Sequence, residues 1–227
     1  MEAVISQALA EGRNLTEPEA LELLKAYGFP IVEHRFASSG EEAVEAASAI
    51  GYPVVLKIVS RDILHKSDAG GVALNLCGPD DIKAAFRQVI ESVKKHKGDA
   101  AINGVLVARM APPGTEVILG MVRDPQFGPT IMFGLGGVFV EVYKDVSFRI
   151  LPLTEEDALE MVQEIKGFPL LKGIRGQGPK DIGSIVNGIM RLSRLVQENP
   201  RILEIDLNPI VVYEKGCEVL DARIILM

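Results

Sequence analysis

The chain has 227 residues, of which 48% are hydrophobic and 24% charged, as in an ordinary soluble globular protein. Its formal net charge of −7 argues against nucleic acid as a main partner, because a phosphate backbone binds clustered Lys and Arg side chains. The sequence shows no basic-then-apolar leader, no long apolar run and no CxxC spacing of Cys77 and Cys217, so we expect a cytoplasmic protein without disulfide, zinc site or membrane span.

Helices and strands alternate in the first part of the sequence. Apolar periodicity and capping residues predict the helices, and runs of β-branched residues predict the strands. The predicted elements are a helix at 17–27, a strand at 31–36, a helix at 39–50, strands at 53–59 and 72–76, and a helix at 80–97. We therefore expect a small α/β lobe over residues 16–98, preceded by an amphipathic helical extension at 1–15.

Strands predominate after a break at residues 98–104. The pattern predicts strands at 104–110, 116–123, 129–133 and 138–142, helices at 155–166 and 181–198, and closing strands at 202–213 and 217–226. This second set predicts a larger lobe over residues 99–227. The fold class indicated by both sets is α/β (α+β) with two lobes.

The segment between the strands at 53–59 and 72–76 has an unusual mixture of residues. It contains His65, followed by a polar run and the glycine pair Gly70 and Gly71. Glycines let backbone N–H groups come close to an anion, and a histidine ring nitrogen can accept a phosphoryl group. The segment therefore predicts a loop that approaches a phosphate.

Lys57 is the single charged residue of the apolar strand at 53–59. Lysine is rarely fully buried unless it is paired. Its ammonium group either enters a cleft to meet a phosphate or reaches water at the edge of the strand. The adjacent histidine segment favours the first interpretation.

The strand at 202–213 carries polar side chains on one face. Strand periodicity places Glu204, Asp206 and Asn208 together, and carboxylate and amide oxygens are ligands that suit Mg²⁺. The return strand brings Asp221 back towards Asn208, so that one cation could bridge the two. The alternative is a solvated polar face with an ion pair to Arg223.

Two glycine-rich segments, 134–137 and 173–178, lie between predicted elements, and turns are the default explanation for both. Arg175, flanked by glycines, is a candidate phosphate clamp or partner contact, and Arg149 is a weaker candidate of the same kind.

The sequence has no GxxxxGK[ST] motif, no GxGxxG after a first strand and no GxSxG. These absences exclude a P-loop NTPase, a simple dinucleotide fold and a serine hydrolase.

Taken together, these segments resemble an ATP-grasp domain. The segments are Lys57, the loop at 65–75, and residues 114–116, 204–209 and 220–223. More narrowly, they resemble the β subunit of the ADP-forming acetyl-CoA synthetases, which are related to succinyl-CoA synthetase. The resemblance extends from about Thr16 to Leu226, and it implies an ATP-grasp fold with the nucleotide site between the two lobes.

The resemblance implies a reaction that passes a phosphoryl group to ADP. A separate α subunit would bind CoA, make an acyl phosphate from acyl-CoA and phosphate, and carry the phosphoryl group on a first histidine. His65 would then receive that group and pass it to ADP.

The remaining roles are also implied by the resemblance alone. Lys57, Gly70, Gly71 and Arg175 would contact phosphates, Val107, Ala108, Arg109 and Met110 would offer backbone groups to adenine, Glu116 would bind ribose, and Asn208 and Asp221, with Asp206 as a weaker candidate, would hold Mg²⁺. The resemblance further implies an α2β2 heterotetramer with ADP/ATP and Mg²⁺ as cofactors, in which this chain alone is catalytically incomplete.

Two alternatives stay open. The chain is either the ATP-grasp subunit of another acyl-CoA ligase, such as succinyl-CoA synthetase, or a non-catalytic nucleotide-binding module of an acyltransferase assembly. The first is disfavoured by His65, since the corresponding loop of succinyl-CoA synthetase is expected to lack the histidine. The second is disfavoured by the presence of His65, Asn208 and Asp221 together.

Overall fold

A computed structural model describes residues 2–63, 65–137, 144–174, 176 and 178–227. Its helices are α1 (Glu2–Ala10), α2 (Glu17–Ala26), α3 (Gly40–Ile50), α4 (Pro79–His96), α5 (Glu155–Glu164), α6 (Phe168–Leu171) and α7 (Ile182–Glu198). Its strands are β1 (His34–Ala37), β2 (Val54–Ser60), β3 (Val72–Leu76), β4 (Ile102–Arg109), β5 (Thr115–Asp124), β6 (Gly128–Leu135), β7 (Val146–Ile150), β8 (Ile202–Val212), β9 (Cys217–Val219) and β10 (Ala222–Leu226). None of the helices in these residues is both long and apolar enough to cross a membrane.

The chain divides into two compact units. The first, here called the loop unit, comprises Thr16–Pro18 and Val32–Pro112. The second, here called the C-terminal unit, comprises Met1–Leu15, Glu19–Ile31 and Pro113–Met227.

The loop unit is built on a four-stranded antiparallel sheet in the order β1-β4-β2-β3. Helices α3 and α4 bury small and branched apolar residues, such as Ala47 and Val89, in one core with β2 and β4. Ser39 begins α3 by accepting a hydrogen bond from the Glu42 N–H at 3.2 Å, as its sequence pattern predicted. Ile63 and Ala69, from the connection between β2 and β3, belong to the same core.

The C-terminal unit contains a six-stranded antiparallel sheet in the order β10-β8-β5-β6-β7, with β9 also paired to β8. Helices α5 and α7 pack against this sheet through apolar stripes at helical spacing, including Met161 of α5 and Ile189 and Leu192 of α7, none of which is exposed. These stripes hold both helices against the sheet.

The boundary between the units differs from the sequence prediction. A lobe boundary was expected near residue 98, but the division falls between Pro112 and Pro113. The reason is that β4 is hydrogen-bonded between β1 and β2, so it is a central strand of the loop unit. Strand spacing along the sequence cannot show which sheet a strand joins.

The element prediction also missed several short features. The first strand begins at His34, because Ile31 forms an isolated bridge with Val219 instead. Strand β7 and helix α6 were not predicted, and the predicted strand at 138–142 lies outside the described residues. The last predicted strand is divided into β9 and β10, opposite the point where Pro209 lacks an N–H group for the ladder.

Replacing Gly104 by Ala is expected to destabilise the loop unit by about 2 kcal/mol. Gly104 has φ +150°, and a Cβ there would collide with the Ala37 carbonyl oxygen and lie 2.8 Å from Phe36 Cζ. Gly98→Ala is the control, because its Cβ would meet only Lys94 O at 3.8 Å. Urea unfolding should place this control within about 0.5 kcal/mol of wild type; equal stability of the two variants would contradict the packing described here.

Candidate active site

Residues 61–71, here called the histidine loop, connect β2 to β3. The Ile58 N–H donates to the Gly71 carbonyl at 2.7 Å, and the Gly71 N–H donates to the Lys66 carbonyl at 2.7 Å. Residues 66–71 therefore form a closed turn whose end is tied to β2. His65 comes immediately before this turn, and its side chain is exposed, which is the arrangement required of a group that must meet a substrate.

The two glycines of the loop are required by packing. A Cβ on Gly71 would lie 2.5 Å from Ile58 Cγ2, and one on Gly70, which has φ +65°, would lie 2.9 Å from Ser92 Cβ. Real Cβ atoms do not approach other atoms this closely, so both positions favour glycine without any ligand. The phosphate contacts predicted for Gly70 and Gly71 stay a prediction.

Lys57 is buried and paired. Its Nζ donates to Glu17 Oε1 at 2.8 Å, and Lys66 Nζ lies 2.9 Å from Glu17 Oε2 as an ion pair without a well-aligned hydrogen bond. The side chain of Glu17 is 2% exposed, against 10% for Lys57 and 16% for Lys66. One carboxylate thus links the strand to the histidine loop, and the phosphate contact of Lys57 stays a prediction.

The sequence pattern does not single out Glu17. It belongs to the same helix as Glu19 and Glu22, and nothing in the local pattern distinguishes the three carboxylates. The available signal was Lys57 itself, because a lysine in an apolar strand requires a partner. That signal indicates an anion but not its position in the sequence.

The predicted adenine contacts are restricted by the ladder of the loop-unit sheet. Val107 and Ala108 are buried in β4 between β1 and β2. The N–H groups of Arg109 and Met110 donate to the carbonyls of Glu33 and Pro53, at 2.9 and 3.1 Å. The predicted contacts of backbone groups of these four residues with adenine stay a prediction.

Glu116 is an exposed residue of β5, and its carboxylate is accessible to a ligand hydroxyl. Its carbonyl accepts the Gly136 N–H at 2.9 Å, and a Cβ on Gly136 would lie 3.0 Å from Glu116 Cβ. Close backbone approach therefore explains this glycine of the segment at 134–137. The ribose contact of Glu116 stays a prediction, and Arg175 lies outside the described residues.

Asn208 and Asp221 face each other across the pair formed by β8 and β10. The register places Leu207 opposite Ala222, and the Asn208 N–H donates to the Asp221 carbonyl at 3.3 Å. Directly opposed residues project to the same face with Cβ atoms roughly 5 Å apart, so an amide and a carboxylate oxygen can reach one cation.

Asp206 has a different environment. Arg223 lies opposite it, with Nη2 at 3.7 Å from Asp206 Oδ2 and at 2.5 Å from Glu204 Oε1. The ion pair to Arg223 therefore applies at Glu204 and Asp206, and the metal site at Asn208 and Asp221 stays a prediction. Arg223 compensates the charge near Glu204, and the pair of Asn208 and Asp221 is the candidate metal site.

The donor set fits Mg²⁺ better than a structural metal. Within the described ranges, no three or more His, Cys, Asp or Glu side chains cluster closely enough to hold a metal ion. Mg²⁺ is usually bound by one or two carboxylates together with water and substrate phosphates, and it does not need a complete protein cage. Asn208 and Asp221 could supply that partial set.

Arg149 has a structural contact. Its guanidinium group lies 2.8 Å from Glu164 Oε2 and 3.6 Å from Glu160 Oε2, and the hydrogen bond to Glu164 raises the pKa of Arg149. The ion pairs join β7 to α5. These ion pairs explain the position of the Arg149 side chain without a bound phosphate.

Comparison with known proteins supports the geometric description. The sequence model of the ATP-grasp domain family matches residues 7–226 of the chain. The fold and the site therefore define an ATP-grasp protein, and the predicted fold class is confirmed.

Two curated relatives make the assignment narrower. The chain is 52% identical over 223 residues to subunit beta of the ADP-forming acetate–CoA ligase I of Pyrococcus furiosus, covering 98% of this chain and 96% of the relative. It is 48% identical over 225 residues to the ADP-forming acetate–CoA ligase I of Archaeoglobus fulgidus, covering 99% of this chain and 33% of that longer protein. The chain belongs to the family of β subunits of ADP-forming acetate–CoA ligases.

Solved structures agree with this assignment. A chain of the dinucleotide-forming acetyl-coenzyme A synthetase 1 of Ca. Korarchaeum cryptofilum, in complex with coenzyme A, Ca-AMPCP and HgCl+, matches with a TM-score of 0.96 at 50% identity and 99% coverage of both chains. A second structure of that protein, with coenzyme A and Mg-AMPPCP, has its phosphohistidine segment pointing towards the nucleotide binding site. It matches with a TM-score of 0.86 at 47% identity, also with 99% of both chains covered.

Substituting Asp221 by Asn is expected to weaken Mg²⁺-dependent ADP binding about tenfold or more. The reason is that the pair formed by Asn208 and Asp221 loses its only negative charge. Isothermal titration of ADP with and without Mg²⁺ measures this effect. Glu160→Gln is the control, since it removes an exposed carboxylate of the same unit that lies on α5. Equal Mg²⁺-dependent affinities in the two variants would remove Asp221 from the metal site.

Proposed function

We propose that the chain is the phosphoryl-transferring subunit of an ADP-forming acyl–CoA ligase, with His65 as the phosphoryl carrier. The overall reaction converts acyl-CoA, ADP and phosphate to acid, ATP and CoA. The observation that carries the proposal is the exposed position of His65, immediately before a turn that is tied to β2. Such a position lets the ring meet two different sites while its loop stays attached to the sheet.

The step assigned to this chain is a transfer between nitrogen and oxygen. The N–P bond of the phosphorylated His65 breaks, and its electron pair stays on the ring nitrogen. A β-phosphate oxygen of ADP forms the new P–O bond, which gives ATP and the neutral imidazole. This reaction needs positioning and charge stabilisation, and it needs little acid–base chemistry.

The other residues assist the transfer by binding and orientation. Asn208 and Asp221 would hold Mg²⁺, which when bound neutralises phosphate charge. Lys57 would supply a cation from β2, and Glu116 would bind the ribose. Gly70 and Gly71 would let the loop backbone approach the phosphate.

The names and lengths of the relatives indicate a partner. The Pyrococcus furiosus relative is named as a β subunit, and the Archaeoglobus fulgidus relative is a longer chain of which this chain spans 33%. We propose that an α subunit supplies the CoA-binding part and the first phosphohistidine, in an α2β2 assembly. We place the enzyme in the cytoplasm, where Cys77 and Cys217 would remain the free thiols that the structure contains.

The carrier role of His65 predicts a phosphorylated intermediate. Incubation of the chain with γ-labelled ATP and Mg²⁺, in the direction of ATP consumption, should give an acid-labile, base-stable label that is absent in His65→Ala. His96→Ala is the matched control, because His96 is exposed in the last turn of α4 and should not affect labelling. If the chain alone is not labelled, the α subunit is added and the comparison repeated.

Equal labelling of wild type and His65→Ala would contradict the proposal. Binding of Mg²⁺·ADP without any phosphorylation, even with the α subunit present, would favour a nucleotide-binding module over an enzyme.

A further inference from the structure

Glu17 has no part in the transfer step, yet its buried carboxylate contacts both the central strand and the histidine loop. We propose that Glu17 is a positioning residue that holds the base of the histidine loop through Lys66 and so determines where His65 is presented. The effect on catalysis rests on the proposed function of His65. The structural part of the inference does not.

The ion pairs of Glu17 are built into the interior. Lys57 Nζ lies 2.8 Å from Oε1 and Lys66 Nζ lies 2.9 Å from Oε2, so each lysine has its own carboxylate oxygen. Charges this well shielded from water interact more strongly than an exposed pair. Without the carboxylate, both ammonium groups would lose the anion that lies within 3 Å of each of them.

The loop is the part that would move when this link is lost. The backbone of Lys57 is fixed on both sides, because it pairs with Val72 of β3 and with Leu106 of β4. Lys66 belongs to a turn, and its side chain is the more exposed of the two. The Lys66 ammonium group would therefore move to water and release the side of the turn that faces Glu17.

Displacement of Lys66 reaches His65 through the turn itself. The His65 carbonyl accepts the Ala69 N–H at 3.3 Å, and the Lys66 carbonyl accepts the Gly71 N–H at 2.7 Å. Ala69 is buried at 3% exposure, so the turn has an apolar anchor as well. His65 is thus exposed at one end of a turn whose other contacts are fixed. The Glu17–Lys66 ion pair then sets the orientation of that turn.

A matched surface pair lies on the same helix. Glu22 and Lys25 are separated by 3.9 Å, and their side chains are 63% and 67% exposed. A pair of this kind contributes little, since water and salt screen it. Glu22→Gln therefore removes a charge from α2 without touching the loop.

Hydrogen exchange of the full chain tests the structural part. In Glu17→Gln and in Lys66→Met, the amides of Ala69 and Gly71 should exchange about tenfold faster than in wild type, while amides of α7 stay unchanged. Glu17→Asp keeps the charge and should stay closer to wild type than Glu17→Gln. Exchange in Glu17→Gln and Lys66→Met that is no faster than in Glu22→Gln would overturn the proposal.

If Glu17→Gln does not fold, Lys66→Met still tests whether the Glu17–Lys66 ion pair holds the histidine loop. The side chain of Lys66 is more exposed than that of Glu17, so its replacement disturbs the core less. In the complex with the α subunit, this variant should transfer phosphate from His65 to ADP about tenfold more slowly in a single turnover, with unchanged ADP affinity. Faster exchange together with an unchanged transfer rate would overturn the positioning role. If wild-type His65 carries no phosphate, the proposed function fails, and the exchange experiment still decides whether Glu17 holds the loop.

Discussion

The antiparallel pairing of β2 with β3 is the constraint on which the histidine loop depends. Because Lys57 lies opposite Val72, residues 61–71 must return the chain from the end of β2 to the start of β3. Packing of Gly71 against Ile58 holds the end of that connection on the sheet. Within this connection His65 is exposed, whereas Ala69 is buried in the core.

Antiparallel register also determines where the candidate metal ligands of the C-terminal unit lie. The pairing of β8 with β10 places Asn208 opposite Asp221. Pro209 interrupts the ladder at this position, and the two polar side chains lie where the last strand resumes. In each unit a candidate functional side chain thus lies beside a pair of antiparallel strands.

Periodicity predicted much of the fold and the polar face of β8. The strand at 72–76 was predicted with the bounds of β3, and the helix at 80–97 differs from α4 by one residue at each end. The polar face of β8 followed from alternation along one strand. Local pattern carries this information because side-chain direction repeats within an element.

The failures have a common physical cause, which is contact between distant parts of the sequence. The assignment of β4 depends on its hydrogen bonds to β1 and β2, and the pairing of Lys57 with Glu17 joins residues 40 positions apart. The hydrogen bonds of Arg109 and Met110 also depend on distant carbonyls. None of these contacts leaves a periodic signal in the sequence.

The most direct measurement is a chase of the phosphorylated intermediate. Chain labelled on His65 is separated from nucleotide, and ADP with Mg²⁺ is then added. The account predicts that the label leaves the protein and appears as the γ-phosphate of ATP, at a rate fast enough to support turnover with the α subunit. Label that stays on the protein, or that is released only as inorganic phosphate in the complete complex, would contradict the role of His65 as the carrier to ADP.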